Sequence, residues 1–431
     1  VTRNVSMVRI AAASFAGTAI EFYDFFVYGT AAALVLGPLF FPGFSALSAT
    51  LAAFATYAVG FIARPLGSVL FGRLGDRRGR RPVLFRSLLL TGVATVLVGL
   101  LPTYDRIGPA APILLVLLRF GQGLGVGGEW GGAVLLASEH APPGRRALWA
   151  SFPQVGPAIG FLLANGLMLT LSGTLTDDQF QAWGWRVPFL FAGLLAGVGL
   201  LLRASIEETP AFRALAEGAE LAASPVKEVM REHWRLILLV AGALTCGYVG
   251  FYLITTWSLH YATTRLSVGR TTMLACIMIA VAGKAAATPL FAVIGDRYGR
   301  KPLCVAGCTG MGLWAFPMLR LLATGEPVWM TLACLGALLP FIAMFSVVGA
   351  YLAELFEPRV RCTGASTAYN LGGVLGGALT PIVATELARG DGTPWGVAAY
   401  LAGAAALSVA CFSALPETRG VPAPAARPAT A

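Results

Sequence analysis

Six ionisable side chains stand inside stretches of sequence that are otherwise apolar: Glu21, Asp24 and Glu129 are acidic, and Arg64, Arg119 and Lys284 are basic. A charge in the middle of a hydrocarbon layer costs at least ~2.5–3.5 kcal/mol on insertion scales, so each one kept there points to a function or to a buried partner. Fully ionised, the six sum to zero, the balance expected of complementary groups held away from lipid. Glu21, Asp24 and Tyr28 are spaced i, i+3 and i+7 and share one helical face. Carboxyl groups buried at mid-membrane are the usual stations of a proton path, which makes Asp24 the first candidate for proton coupling, Glu21 the second and Glu129 the third. A cap on an interhelical hydrogen-bond network is the plainer role for either α-face acid.

Arg64 shares a stripe with Tyr57, Phe61 and Ser68, and a guanidinium holds a carboxylate in a bidentate fork that lysine cannot reproduce. It is the leading substrate-binding candidate, with a permanent ion pair as the alternative. Arg119, Gln122 and Glu129 fall on one broad face, but Arg119 and Glu129 are separated by ~15 Å along the axis and are not each other's partners. Lys284 lies among Ala, Gly, Thr and Val and belongs to no motif, so substrate contact competes with a snorkelling or paired lysine. Gln154 and Asn165, then Thr245, Tyr248, Tyr252 and Thr255, then Tyr369 and Asn370 complete the candidate lining, each of which could equally pack helices.

The elements that must hold these groups are set by composition. Of 431 residues, 57% are hydrophobic and 12% charged, about half the ~25% charge of an average soluble domain. A soluble enzyme, a disordered chain and a fibre are all excluded. Apolar runs over about 10–40, 46–71, 82–102, 111–137, 148–172, 187–203, 235–260, 271–294, 303–323, 328–353, 363–388 and 395–415 predict an all-α polytopic membrane protein of twelve transmembrane helices. The polar stretch 204–234 divides them into two pseudo-symmetric six-helix halves, 1–203 and 235–415, followed by a short tail, 416–431. The halves repeat: Gly75-Asp76-Arg77-Arg78-Gly79-Arg80-Arg81-Pro82 recurs as Gly295-Asp296-Arg297-Tyr298-Gly299-Arg300-Lys301-Pro302. A second echo relates Glu139 and Arg146 to Glu354 and Arg361, and Gln154, Gly156 and Gly160 to Asn370, Gly372 and Gly376. Two parallel repeats imply a substrate site between them near the midplane.

With the amino terminus inside, 21 Lys and Arg flank the cytoplasmic ends of the runs and six the outer ends, which predicts cytoplasmic termini in an inner-membrane protein. The net charge of +10 is then topological: its partner is anionic lipid, and no nucleic-acid partner is expected. The seven cysteines include no CxxC and have no histidine beside them, so neither a metal nor any cofactor is expected. The Gly123–Gly128 stretch matches GxGxxG without a preceding strand and reads as close helix packing. No Ser-His-Asp, HExxH or P-loop constellation supports an enzyme, and no cleavable signal peptide is evident.

The repeated loop, Gly72 to Arg81 with Asp76 as its acid, resembles the major facilitator superfamily. Glu21-Phe22-Tyr23-Asp24-Phe25-Phe26, Arg64-Pro65-Leu66-Gly67, Arg119-Phe120-Gly121-Gln122-Gly123, Gly127-Gly128-Glu129-Trp130, Trp183-Gly184-Trp185-Arg186-Val187-Pro188-Phe189, Glu208-Thr209-Pro210-Ala211-Phe212 and Glu354-Leu355-Phe356 through Tyr369-Asn370 narrow it to the metabolite:proton symporters. That resemblance implies secondary active transport by alternating access: proton-coupled symport of a small carboxylate metabolite by a monomer. A zwitterion carrier of the proline or betaine kind, an uncoupled facilitator or exporter and, more distantly, a membrane receptor are the alternatives. It also implies a gate on the cytoplasmic side, built from Gly72, Asp76, Arg80 and Arg81 with Asp296 and Arg300. Glu139 with Arg146 and Glu354 with Arg361 are its expected pairs, against simple surface pairing. Two departures stand out. The chain shows no heptad-bearing tail of the osmosensing kind, and Ala292 replaces Gly72 in the second copy, which predicts a weaker latch there.

Overall fold

The computed structural model describes residues 7–142, 144–204, 212, 225–389 and 394–420. Most of the polar 204–234 stretch, the tail beyond residue 420 and the side chain of Arg80 lie outside the described residues.

Twelve helical segments follow the twelve apolar runs. In the first half α1 covers residues 7–40, α2 Ala46–Arg78, α3 Arg80–Leu100, α4 Ala110–His140, α5 Arg146–Thr174 and α6 Arg186–Ala204. In the second, α7 covers residues 234–265, α8 Arg270–Tyr298, α9 Arg300–Leu322, α10 Pro327–Leu355, α11 residues 361–387 and α12 Trp395–Ala414. Nine described helices are long and apolar enough to cross a membrane unaided, and two bent pairs raise the number to eleven. The twelfth, α11, is broken by a π turn at Val374–Ala378. Its first part, Arg361–Gly373, is almost wholly buried, so its polar residues face protein rather than lipid. The corresponding first helices of the two halves carry corresponding π turns, Ala32–Leu36 in α1 and Leu253–Trp257 in α7. Such turns interrupt the regular ladder and concentrate at functional sites.

The repeated Gly-Asp-Arg motif is not a loop. Its acids stay helical in the last turns of α2 and α8, and the connections shrink to one residue each: Gly79 at φ +97° and Gly299 at φ +114°. With ψ near 170° this conformation is essentially confined to glycine, and it turns the chain back within a single residue. Alanine at either position forces a Cβ into that conformation, at ~1–3 kcal/mol. Gly79→Ala and Gly299→Ala are expected to lower folded yield and thermal stability, measured by fluorescence-detected gel filtration of heated detergent extracts. Unchanged melting would show that the hinge tolerates a side chain.

Large apolar side chains such as Leu70, Leu117, Leu194, Leu201, Leu290 and Leu313 are exposed on the outer faces, as lipid contact requires. Inside, α1 packs on α5 and α2 on α4 in the first half, α8 and α9 on α10 in the second, and the halves meet along α2 with α11 and α5 with α8. The Gly123–Gly128 stretch is a packing device: a Cβ at Gly127 would fall against the Arg64 carbonyl of α2.

Candidate functional site

Two carboxylates and two guanidiniums meet in the middle of the first half. Glu21 and Asp24 on α1 are 0% and 1% exposed, and none of their four oxygens has a hydrogen-bond donor within 3.5 Å among the described residues. Arg64 of α2 and Arg119 of α4 are equally buried and flank one ring, Phe25, with Cζ 4.2 and 4.6 Å from its centroid. Phe61 takes Arg64 at 4.4 Å, while Tyr28 and Tyr57 take Arg119 at 4.3 and 4.9 Å. Ring faces stabilise a desolvated cation by ~2 kcal/mol, yet they satisfy no N–H, and Nε and Nη2 of both arginines have no hydrogen-bond partner among the described residues. Arg119 Nη1 donates to Gln122 Oε1 at 3.1 Å and Gln122 Nε2 to Thr95 Oγ1 at 2.6 Å, so Gln122 fixes Arg119 to α3. Tyr28 shares a 2.6 Å hydrogen bond with Thr56.

Glu129 has a different setting. Arg203, near the end of α6, is buried and binds Glu129 Oε1 through Nη2, while its Nη1 donates to the Leu84 carbonyl at 2.6 Å. Ser87 Oγ donates to Glu129 Oε2 at 3.5 Å. Arg203 looks like one of the basic residues at the membrane surface, but it is a fourth buried cation. Glu21, Asp24 and Glu129 thus share the interior of the apolar runs with four bases among the described residues, Arg64, Arg119, Arg203 and Lys284.

Between the halves lies a small cavity of about 40 Å³. Phe22 of α1, Gln154 and Pro157 of α5, Tyr248, Phe251 and Tyr252 of α7, Lys284 and Thr288 of α8, Phe341, Ile342, Phe345 and Ser346 of α10, and Tyr369 of α11 line it. Gln154, Tyr248, Tyr252 and Lys284 thus come together. Arg64, Arg119, Tyr28, Tyr57 and Gln122 do not line the cavity; Tyr252, which does, packs edge-on against Phe61 at 5.2 Å and Tyr57 at 6.2 Å. Asn165 accepts from Thr30 Oγ1 at 2.8 Å and donates to the Phe161 carbonyl at 3.0 Å, tying α5 to α1. Asn370 Nδ2 donates to the Gly127 carbonyl at 3.0 Å, tying α11 to α4 across the halves, and its neighbour Tyr369 stacks on Trp130 at 3.6 Å.

The gate residues form a crosswise latch. Asp76, at the end of α2, accepts from the Cys362 and Thr363 amides at 3.2 and 3.0 Å and from the Thr363 hydroxyl at 2.6 Å, capping α11. Asp296, at the end of α8, accepts from the Ala147 and Leu148 amides at 3.0 Å each, capping α5. Each acid caps a helix of the opposite half, where unpaired amides and the helix dipole favour a carboxylate. A Cβ at Gly72 would lie 2.8 Å from Thr363 Cα, so α2 meets α11 closely, whereas Ala292 fits in the second copy. The ion pairs differ from the sequence pairing. Arg361 binds Glu139 across the halves at 3.4 Å, Arg300 holds Glu354 through two bonds of 3.1 and 3.2 Å, and Arg146 has no ion pair among the described residues. The reason is direction: Arg361 opens α11 where it docks on the first half, while Arg300 stands one residue past Gly299 facing the end of α10. Arg81 is exposed.

Glu417 completes this end. Burial pushes its carboxyl up, but amides of Arg419, Arg300, Lys301 and Thr418 outweigh it and hold the group below its usual value. A depressed carboxylate contributes stability that is present above the ordinary ~4.3 and lost as pH falls through the folded value. Glu417→Gln is expected to abolish that acid-side loss, seen as a flatter melting temperature between pH 5 and 3; an unchanged pH profile would remove Glu417 from the account.

At the opposite end of the bundle a larger cavity of about 390 Å³ opens among Thr50, Trp257, His260, Tyr261, Thr264, Arg265, Thr385, Ala388 and Arg389. One end is latched and the other hollow.

The chain matches the family described as sugar (and other) transporter over residues 10–234 and again over 220–426. It is 43% identical over 416 residues to the inner membrane metabolite transport protein YhjE of Escherichia coli, covering 95% of this chain and 94% of that one. The chain belongs to the major facilitator superfamily. This facilitator is 40% identical to the shikimate transporter of Escherichia coli, over 91% of both chains, and 34% identical to the glycine betaine/proline/ectoine/pipecolic acid transporter OusA of Dickeya dadantii, over 96% of this chain and 84% of that one. Its fold is that of the proton:xylose symporter XylE, with a TM-score of 0.78, 19% identity and 96% and 97% coverage. As a major facilitator it is a multi-pass membrane transporter and not an enzyme.

Several lining residues of this facilitator escape a reading of its sequence. Phe251, Phe341, Phe345 and Ser346 sit in runs so apolar that nothing sets them apart from lipid-facing positions. A signal exists for α10: its window from Phe341 to Ala353 is buried on every side, and a helix buried all round is an inner helix.

Proposed function

We propose that this facilitator is a secondary active transporter that carries a small organic acid together with protons by alternating access. The observation that carries the reading is the array of Glu21, Asp24, Arg64 and Arg119: among the described residues, buried acids without hydrogen-bond donors within 3.5 Å stand beside buried guanidiniums whose Nε and Nη2 have no acceptor. Protonation of one acid changes the charge balance of this cluster, and a substrate anion in the adjoining cavity, separated from Arg64 by the rings of Tyr252 and Phe61, changes the field around it, which is what coupling requires. The moving bodies are the helices of residues 1–203 and 235–415, joined by 204–234. The basic bias puts the Asp76 and Asp296 latch, the joining segment and the termini on the cytoplasmic side of the inner membrane, next to anionic lipid. On that assignment the latched end with a hollow opposite end is an outward-facing arrangement, and a monomer suffices.

Proteoliposomes given labelled shikimate, 2-oxoglutarate, citrate, proline and glycine betaine, with and without an inward proton gradient, test the reading. Gradient-dependent accumulation of a carboxylate supports it, and equal rates with and without the gradient refute proton coupling. The zwitterion reading rests on OusA, and accumulation of betaine alone favours it.

The latch has its own test. With Cys362 as the sole cysteine, buried against Gly75, Asp76→Asn is expected to speed its alkylation at least about tenfold, equivalent to ~1.4 kcal/mol. Asp296→Asn should have a smaller effect, because Asp296 holds two donors of the opposite half rather than three. Equal, unchanged rates would mean that the caps do not hold the state.

A further inference from the structure

Lys284 is the one charged residue among the described residues that line the central cavity. It is 4% exposed, and its ammonium makes no hydrogen bond or ion pair among the described residues. Its Nζ stands 5.5 Å from the Phe251 centroid and 5.3 Å from that of Phe341. Two further polar atoms of the same wall are buried without partners, Gln154 Nε2 and Ser346 Oγ. Among the described residues three donors around one cavity are therefore unmatched, and no acid lines it. An isolated buried ammonium is a heavy cost to a fold unless an anion meets it.

We infer that Lys284 holds the substrate's carboxylate, that Ser346 and Gln154 donate to its oxygens or to a neighbouring hydroxyl, and that the substrate is a monocarboxylate with a largely apolar body, for which the cavity widens from the about 40 Å³ it encloses in this arrangement. This rests on the transport reading above and names its substrate class. The ring faces decide against a zwitterion. Phe251 and Phe341, which would stabilise a substrate's quaternary ammonium, already face the lysine cation, and a second cation beside it is repelled. The single cation decides against a dicarboxylate, because a second carboxylate would be desolvated against Phe22, Ile342 and Phe345 with no base of the cavity wall to meet it. Lysine suits this place as arginine would not: a point charge accepts a carboxylate in several orientations as the halves move.

Thermal unfolding of the purified carrier, without membrane or pH gradient, reads binding apart from coupling. Benzoate and cyclohexanecarboxylate are the monocarboxylate probes, succinate the dianion and glycine betaine the zwitterion. The two monocarboxylates are expected to raise the melting temperature of the wild type, with succinate and betaine at least tenfold weaker in half-maximal concentration. Lys284→Met removes an unmatched buried charge, so it should fold at least as well while losing tenfold or more in monocarboxylate affinity. Ser346→Ala should lose a few-fold and checks the same wall without touching the charge. Betaine binding tighter than both monocarboxylates, unchanged affinity in Lys284→Met, or no protection of the wild type by either monocarboxylate would overturn the assignment. If monocarboxylates bind through Lys284 yet are never driven by protons, the coupling reading falls and this one stands.

Discussion

Asp24→Asn is expected to leave a carrier that exchanges substrate across the membrane but no longer concentrates it when a pH gradient is imposed. The side chain keeps its shape and loses its titration. Loading then ceases to depend on the proton concentration outside, while rocking of the loaded form needs no proton at this position. One coupled proton lets a unit of pH difference sustain up to about tenfold accumulation, since a tenfold ratio corresponds to ~1.4 kcal/mol, so accumulation should fall from that range to unity. Counterflow and pH-driven uptake, measured in the same proteoliposomes, separate the two properties. Glu21→Gln provides the comparison, because its oxygens are also without hydrogen bonds. Wild-type proton dependence in Asp24→Asn moves the role to Glu21, wild-type dependence in both variants moves it to Glu129, and an uncoupled facilitator is favoured only if the unmodified carrier itself shows no dependence on the gradient.

The second large effect concerns stability. Arg203→Met strips Glu129 of its buried partner, leaving a carboxylate with Ser87 alone to meet it. Breaking a buried pair from one side costs ~3–5 kcal/mol, a large share of the ~5–15 kcal/mol that holds a typical domain together. Folded yield and melting temperature should drop sharply. Adding Glu129→Gln in the same chain removes the stranded charge and should restore most of the loss, so the two substitutions are strongly non-additive. Additive losses would mean that Arg203 acts through the Leu84 carbonyl or by packing instead.

Sequence was a good guide to the helices and a partial one to the site, for a physical reason. A twenty-residue apolar run is visible wherever it occurs, so all twelve segments lie where hydropathy puts them. The repeat was visible too, but its geometry was not. Asp76 and Asp296 read as loop acids, and only the positive φ of Gly79 and Gly299 shows that the helix continues past them. Charges in apolar surroundings announce themselves, which is why Asp24, Arg64 and Lys284 stood out. Their partners do not: Arg203 is hidden by its place at the end of a run, where a basic residue is ordinary. The aromatic lining is silent for the opposite reason, since Phe251 or Phe345 looks the same in sequence whether it faces lipid or substrate.

The crosswise caps have an evolutionary reading. Position i of one half meets position j of the other, and the partner positions repeat the contact in reverse, the hallmark of an isologous interface between two identical subunits. A half-length ancestor bearing one Gly-Asp-Arg motif and one matching helix start could not cap itself, but two copies could cap each other. Fusion into one chain then freed the copies to diverge. Thr363 gives Asp76 its hydroxyl as well as its amide, whereas Leu148 offers Asp296 an amide alone, so the two caps stand at corresponding positions with unequal sets of donors.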